Sequence, residues 1–459
     1  LWAIFIFLIA GVIFVNSLSG VLYDFDDYYH LAASSQIKQH GPYYHFPWAQ
    51  FTTFRDFFAD KDFLFHLFIV PFLFLFKSPL LAAKAGLIFY EVCFLFAYVW
   101  VLKKYLPDFL AALFLILPFM SFNFDMYFIF LRPSTLVNIL TILGIYFMIT
   151  KSWVKLFILA ALYTLGHVSF LMLVVFALIA EFIRYFISRE FFLKNIYAVA
   201  AGILFGCIAH PNYPNNLISI HLNAILVPLY SFINSGIDFG GELFSTSGKY
   251  ILLYNFAVFL SLVVMVWIAL LSRMRASFST FVWWACASLY IFFSFFGNRH
   301  WYTANVLFFI FFASFIKDWL NERHPVKLLP KINIFILFYM CVFLVFSLLN
   351  TNDMKGDIEK RIALNTHYEN VAQWMNANIP EGENIYHAYW RDSAVFMCFN
   401  PKDRYLVVLD PIYMLYRYPD EYRIYTRMAR YPILNPHEVI KVIFKARYGY
   451  AFSNSAVYA

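Results

Sequence analysis

Apolar stretches long enough to cross a lipid bilayer recur along this chain, and the turns between them carry lysine and arginine almost entirely on one side. An apolar run of about 20 residues spans a hydrocarbon core of about 30 Å. Stretches 1–22, 80–102, 107–121, 133–150, 154–168, 170–187, 196–210, 250–271, 278–297, 302–317 and 332–349 are read as such spans. With the N-terminus cytoplasmic, the inner turns hold Lys103, Lys104, Lys151, Lys155, Arg184, Arg189, Lys194, Arg273, Arg275, Lys317, Arg323, Lys327 and Lys331. The outer turns hold Arg132, Lys249 and Arg299. Thirteen against three is the positive-inside asymmetry of a polytopic membrane protein. Two more apolar stretches, 63–76 and 217–233, are interrupted by Pro71 and Pro228 and are read as helices lying in one interface. Counting 63–76 as a crossing would move every later turn to the other side and invert the asymmetry.

Composition agrees. Hydrophobic residues make up 62% of the 459 and charged residues 13%, with a mean hydropathy of +0.67. A soluble domain carries about 25% charged and 45–50% apolar residues. The excess cannot be buried in one water-soluble core, which excludes an ordinary cytosolic enzyme. Disorder and nucleic-acid binding are excluded too, since basic residues are few and unclustered. The five cysteines, Cys93, Cys207, Cys286, Cys341 and Cys398, form no close pair, so neither a disulfide framework nor a thiolate metal site is expected.

The expected architecture is an α-helical membrane domain of about eleven spans over residues 1–349, with a large outer loop at 23–79. A small α/β domain outside the cytoplasm follows over 350–459. That tail turns abruptly polar, with 13 Lys/Arg and 12 Asp/Glu in 110 residues. It alternates helix-like and strand-like pieces: a helix over 368–378, strands at 384–388, 404–410 and 448–452, and a helix over 436–445. No repeat and no glycine-rich phosphate loop is present.

Polar groups at membrane depth are costly and need a partner or a task. The outer ends of the spans collect Asp26, Asp27 and His30, then Asp125 and Arg132, His167, His210-Pro211-Asn212, and Arg299-His300. One outward-facing polar cavity is therefore expected. Each member also has a plainer reading. Asp26 and Asp27 open a helix and could be caps. The His210 turn could be a rigid re-entry, and Asp125 could pair with Arg132. Arg132 itself sits on the sparsely basic face, where an anionic ligand would explain it. Asp26, Asp27, His30 and His167 have the ligand types of a metal site, but no Glu-x-x-His or His-x-x-x-His pair accompanies them.

A first span, an outer acidic pair, interfacial helices, a basic turn at Lys103-Lys104 and an outer turn Leu131-Arg132-Pro133-Ser134 together resemble the GT-C superfamily of integral membrane glycosyltransferases. The likeness is to the branch of protein O-mannosyltransferases and lipid A aminoarabinose transferases, whose second outer hairpin often reads Ala-Arg-Pro-Asp. Here Ser134 replaces the acid. The match covers residues 1–190, and the later spans only by count and sidedness. It implies a polyprenyl-phosphate sugar donor and a glycan, lipid or protein acceptor. It also implies inversion on the non-cytoplasmic face of the inner or plasma membrane, with an acid of the first outer loop as general base. Asp26 or Asp27 occupies that position. The family's pair is Asp-Glu, so Asp-Phe-Asp-Asp leaves open which acid serves. Arg132, His167, His210, Arg299 and His300 are the candidates for the donor phosphate. No cofactor is required by the resemblance, and a divalent metal is the variant. The alternative function is a lipid-linked saccharide flippase or another transporter, favoured by Glu91 and Lys84 inside one span. A third reading is a non-catalytic member whose outer domain is a binding module.

Overall fold

A computed structural model describes residues 1–233, 236–237, 239–244, 247–272, 274–322 and 329–452; the side chains of residues 271 and 329–350 lie outside that description. The inner-face cations Arg273, Arg323, Lys327 and Lys331, and Cys341, fall there. The other four cysteines are free thiols.

The first helix, α1 (Trp2–Ser17), is apolar up to Asn16 and leads into the loop at 23–79. There α2 (Phe25–His40) begins with a capping box, in which the Asp27 carboxylate accepts the Asp24 backbone N–H at 3.0 Å. It ends at Gly41, whose φ of 71° is open chiefly to glycine. A short apolar helix, α3 (Phe63–Leu75), carries Pro71 and lies beneath α2. The long helix α4 (Pro79–Leu102) starts with proline in its first turn and a Ser78 cap. Glu91 and Lys84 on α4 have structural partners. Asn16 Nδ2 donates to Glu91 Oε2 at 3.1 Å, and Lys84 Nζ donates to the Asn16 and Ser19 carbonyls. They pin the end of α1 to α4.

Helix α5 (Trp153–Gly166) packs against α6 (Lys194–Ala209) at very close range. The cause is Gly202-x-x-x-Gly206, which lies on the α5 backbone. A Cβ on Gly206 would come 2.7 Å from the Ala161 carbonyl oxygen. Among the described residues, three helices are long and apolar enough to cross a membrane: α4, Val168–Ser188 and α7 (His300–Asn321). Two bent pairs, Asp108–Met120 with Phe122–Phe128 (88°) and Gly248–Tyr254 with Phe256–Leu270 (77°), raise that to five. Six further apolar helices of 10–17 residues include α1, α3, α5 and α6.

The last apolar stretch does not end as a helix where the polar tail begins. It continues into the tail as one helix of 50 residues, α8 (Leu329–Asn378). Beyond it, β1 (Asn384–His387), α9 (Asp392–Phe399), β2 (Arg404–Tyr405) and β3 (Tyr448–Tyr450) build a parallel sheet in the order β2-β1-β3. Its free β2 edge is covered by the outer loop. Gln50 and Phe51 donate backbone N–H groups to Tyr405 and Leu406 at 2.9 Å, and Tyr405 donates to the Trp48 carbonyl at 2.8 Å. Trp48 Nε1 also reaches the Pro401 carbonyl, and α9 packs on α2. The tail and the loop at 23–79 thus share one hydrophobic core.

Candidate functional site

A cavity of about 860 Å³ opens where the start of α2, the turn before Ser134, the loop at Gly240–Leu243, the start of α7 and the tail meet. Its polar wall is organised by Arg132. The Arg132 Nε donates to Asp24 Oδ2 at 2.9 Å, Nη2 lies 3.0 Å from Asp26 Oδ2, and Nη1 donates to Glu242 Oε2. Its guanidinium also lies 5.5 Å from the centroid of Phe130. Arg361 of α8 faces the same ring at 5.0 Å and donates from Nη1 to Asp24 Oδ1 at 3.0 Å.

Local sequence explains the placement. Asp24 is the N-cap of α2, so its carboxylate sits at the positive end of the helix beside the two guanidinium groups. Burial alone would raise the Asp24 carboxyl, but Arg132 and Arg361 hold it below the ordinary range. Glu242 behaves likewise under Arg132 and Arg299. Asp26 is different. Burial pushes it up to about 6, and Arg132 only partly opposes that. The Gly240–Leu243 loop is tied to the start of α7 because Arg299 N–H donates to the Glu242 carbonyl at 3.1 Å.

The lining also includes Lys61, Arg299 and Arg391, together with Asp410, which follows the buried run Leu406–Val408. Burial pushes the Asp410 carboxyl up to about 7 against the pull of Lys61 and Arg299. Its Oδ1 is buried without a hydrogen-bond partner. The cavity therefore holds two carboxylates poised near neutrality facing three cations, an arrangement suited to moving a proton beside an anion.

The residues expected in one cavity divide into separate groups. Asp26, Arg132 and Arg299 line it; Asp27, His167, His210 and His300 do not. Asp27 closes the α2 capping box, its Oδ2 accepting the Asp24 backbone N–H. His300 packs against Tyr290 and Phe293 at the start of α7. His210 accepts the Asn212 N–H at Nδ1 and donates from Nε2 to the Asp60 carbonyl at 3.0 Å. His167 accepts the Ser169 N–H at Nδ1 and turns Nε2 toward Asp62 at 3.9 Å. Asp125 is not a partner of Arg132. The anions that account for an arginine on this face are Asp24, Asp26 and Glu242.

Three carboxylates around one point are also the makings of a divalent-cation site. Here a guanidinium fills that point and engages all three, so the residues present do not fit a metal ion at Arg132. Nor are Asp26 and Asp27 assembled with His30 as a ligand set. Among the described residues, the metal-competent group is His30, Asp62 and His66. Sequence reasoning missed Glu242, Arg361, Lys61, Arg391 and Asp410. The available signals were an acid in a long, sparsely charged outer segment for Glu242, and an acid ending a buried apolar run for Asp410.

No protein-family model matches the sequence, and no curated protein matches it. Solved structures do. The apo oligosaccharyltransferase of Archaeoglobus fulgidus superposes with a TM-score of 0.57 at 12% identity, over 85% of this chain and 62% of that one. The same archaeal enzyme, AglB, in complex with an inhibitory peptide and a dolichol-phosphate gives 0.54 at 11% identity, over 85% and 61%. Its form tethered to an acceptor peptide containing an NVT sequon gives 0.54 at 12%, over 84% and 60%. The chain thus spans about 62% of the length of the archaeal enzyme. At this identity the likeness is one of fold alone.

Proposed function

We propose that this protein transfers a sugar from a polyprenyl-phosphate carrier to an acceptor nucleophile on the non-cytoplasmic face of the membrane. The observation that carries this reading is the meeting of Asp26 and Asp410 with Lys61, Arg299 and Arg391 in one cavity of an oligosaccharyltransferase-like fold. Eleven crossings with an outer tail are part of the same reading, supported by the charge asymmetry of the turns.

In the proposed reaction the Asp26 carboxylate removes the proton of the acceptor hydroxyl or amine as that atom bonds to the anomeric carbon. The bond from that carbon to the phosphate oxygen breaks, and configuration inverts. The electron pair leaves with the polyprenyl phosphate. Arg299, Lys61 and Arg391 neutralise its growing charge. Asp410 accepts from hydroxyls of the sugar. Arg132 acts one step back: it holds Asp24 and Glu242 ionised and orients Asp26. Asp27, held in its capping box, sets the direction in which α2 presents Asp26.

The test uses the full chain in lipid nanodiscs with a polyprenyl-phosphate-linked sugar and an envelope extract as acceptor, following release of free polyprenyl phosphate. Release by the wild type and its loss in Asp26→Asn are expected. Undiminished release by Asp26→Asn would overturn the assignment of the base. Movement of intact donor across the bilayer with no release would favour a flippase.

A further inference from the structure

Outside the cavity, buried titratable groups collect around Asp60 and Asp62. His66 Nδ1 lies 2.7 Å from Asp60 Oδ2, and His66 Nε2 lies 2.7 Å from His30 Nδ1. Asp62 completes the group: one ligand atom from each of His30, Asp62 and His66 falls within 4.8 Å of the others. Asp62 is the unusual member. It occupies the N-cap of α3, where an aspartate ordinarily accepts a backbone N–H of the first turn. It makes no such bond. Both its carboxylate oxygens are buried without a partner, in a side chain 1% exposed. Lys61 is the neighbouring cation but gives Asp62 no hydrogen bond, so this buried carboxylate beside two imidazoles is left without a bound partner.

We propose that His30 Nδ1, His66 Nε2 and the Asp62 carboxylate bind a divalent transition-metal ion of the zinc class. Two imidazoles and one carboxylate are a common three-residue set for such an ion, with the fourth position left to water. Asp62 and His66 are four residues apart at the start of α3, so their side chains rise on one face, and His30 meets them from α2. The surrounding bonds have the expected form. His66 donates its Nδ1–H to the Asp60 carboxylate, which leaves the Nε2 lone pair aimed inward, the carboxylate–histidine arrangement typical around bound metals. Asp60 is itself fixed: its other oxygen accepts the Asp62 N–H at 3.1 Å, and its N–H donates to Asn212 Oδ1 at 3.0 Å.

Without metal, the proton between the two rings is on His30 Nδ1, because His66 Nδ1 already carries its own. Binding shifts that proton to His30 Nε2, and no proton need be lost from either ring. The rings must part by about 0.6 Å, since two nitrogens at 2.0–2.1 Å from a tetrahedral ion lie about 3.3 Å apart. His167 is a neighbour and not a ligand. Its Nδ1 accepts a backbone N–H, which leaves the proton on the Nε2 that faces Asp62. The ion would staple α2 to α3 beside the cavity that carries Asp26.

The experiment uses the full chain purified in detergent without chelator, analysed for metals by mass spectrometry. One equivalent of zinc or a neighbouring transition metal per chain is expected. Protein stripped with a chelator and given cobalt chloride should show visible d–d absorption, and zinc chloride should raise its melting temperature. His30→Gln should lose both responses. Should His30→Gln fail to fold, the stripped wild type still decides. No bound metal on purification, together with no absorption and no melting shift on adding cobalt or zinc, overturns the site. Retention of metal by His30→Gln at full stoichiometry overturns the ligand set. Neither outcome depends on glycosyl transfer.

Discussion

Arg361 and Arg132 hold opposite oxygens of the same Asp24 carboxylate: Arg361 Nη1 donates to Oδ1 at 3.0 Å, and Arg132 Nε to Oδ2 at 2.9 Å. One of these arginines comes from the tail helix and the other from a turn between apolar helices. A single N-cap residue therefore ties the two halves of the chain at the rim of the cavity.

The pair Asp26 and Arg132 should separate activity from stability. Burial raises the Asp26 carboxyl to about 6, above an unfolded value near 3.9. A raised carboxyl contributes its stability below the unfolded value and loses it as pH climbs to the folded one. Above pH 6 the charge therefore weighs against the fold. Asp26→Asn should hold or raise the melting temperature at pH 7.5 while lowering turnover by about 10²–10⁴. In the wild type, turnover should fall as pH drops through about 6. Thermal melts and a pH–rate profile check both, and a lower melting temperature in the variant at pH 7.5 contradicts the sign.

Arg132→Ala leaves three largely buried carboxylates without their shared cation. Breaking a buried ion pair from one side costs about 3–5 kcal/mol, so a marked fall in melting temperature is expected. Arg132→Lys keeps the charge but not the fork that reaches three partners, and should recover only part of it. Differential scanning fluorimetry on the three proteins distinguishes a structural hub from a peripheral contact.

Arg299 lines the same cavity as Asp26 and is the arginine assigned to the leaving phosphate. A charge-assisted contact of this kind is worth about 1.5–3 kcal/mol. Arg299→Ala should weaken binding of polyprenyl phosphate by about 10–150-fold with little change in the melting temperature. Equilibrium binding of a fluorescent polyprenyl phosphate measures it, and unchanged affinity removes Arg299 from the site.

Leu434 is 93% exposed on the tail. In a Cys398→Ser background, Leu434→Cys should react with a membrane-impermeant maleimide in intact cells. Labelling confined to lysed cells would place the tail in the cytoplasm and the cavity on the wrong face.

Much of the local structure was legible in the sequence, because short-range rules decide it. Each strand of the tail lies within a stretch expected to be extended, although 404–410 narrows to Arg404–Tyr405. The run Asp24-Phe-Asp-Asp27 carried both a cap and a cavity residue, and its spacing alone separates them: the third residue past the N-cap turns back to the backbone. What the sequence could not disclose was which distant groups share a charge. Arg132 finds Glu242 across 110 residues and Asp24 across 108, and no local periodicity encodes such a meeting. The histidines were marked as polar groups needing partners, but their partition around Asp60 and Asp62 depends on how α2 crosses α3. The alternative pairing of Arg132 with Asp125 failed for the same reason.

The uninterrupted helix α8 has a mechanical consequence. Each residue of an α-helix turns the chain by about 100° and advances it about 1.5 Å. Between the apolar stretch and Arg361 there is no break to absorb a change of phase. Substitutions in that interval keep the phase, but adding or deleting one residue would swing Arg361 away from Asp24 and rotate the whole tail about the helix axis. The segment works as an indexed shaft, whose length in residues sets the angle at which the sheet, Arg391 and Asp410 meet the cavity.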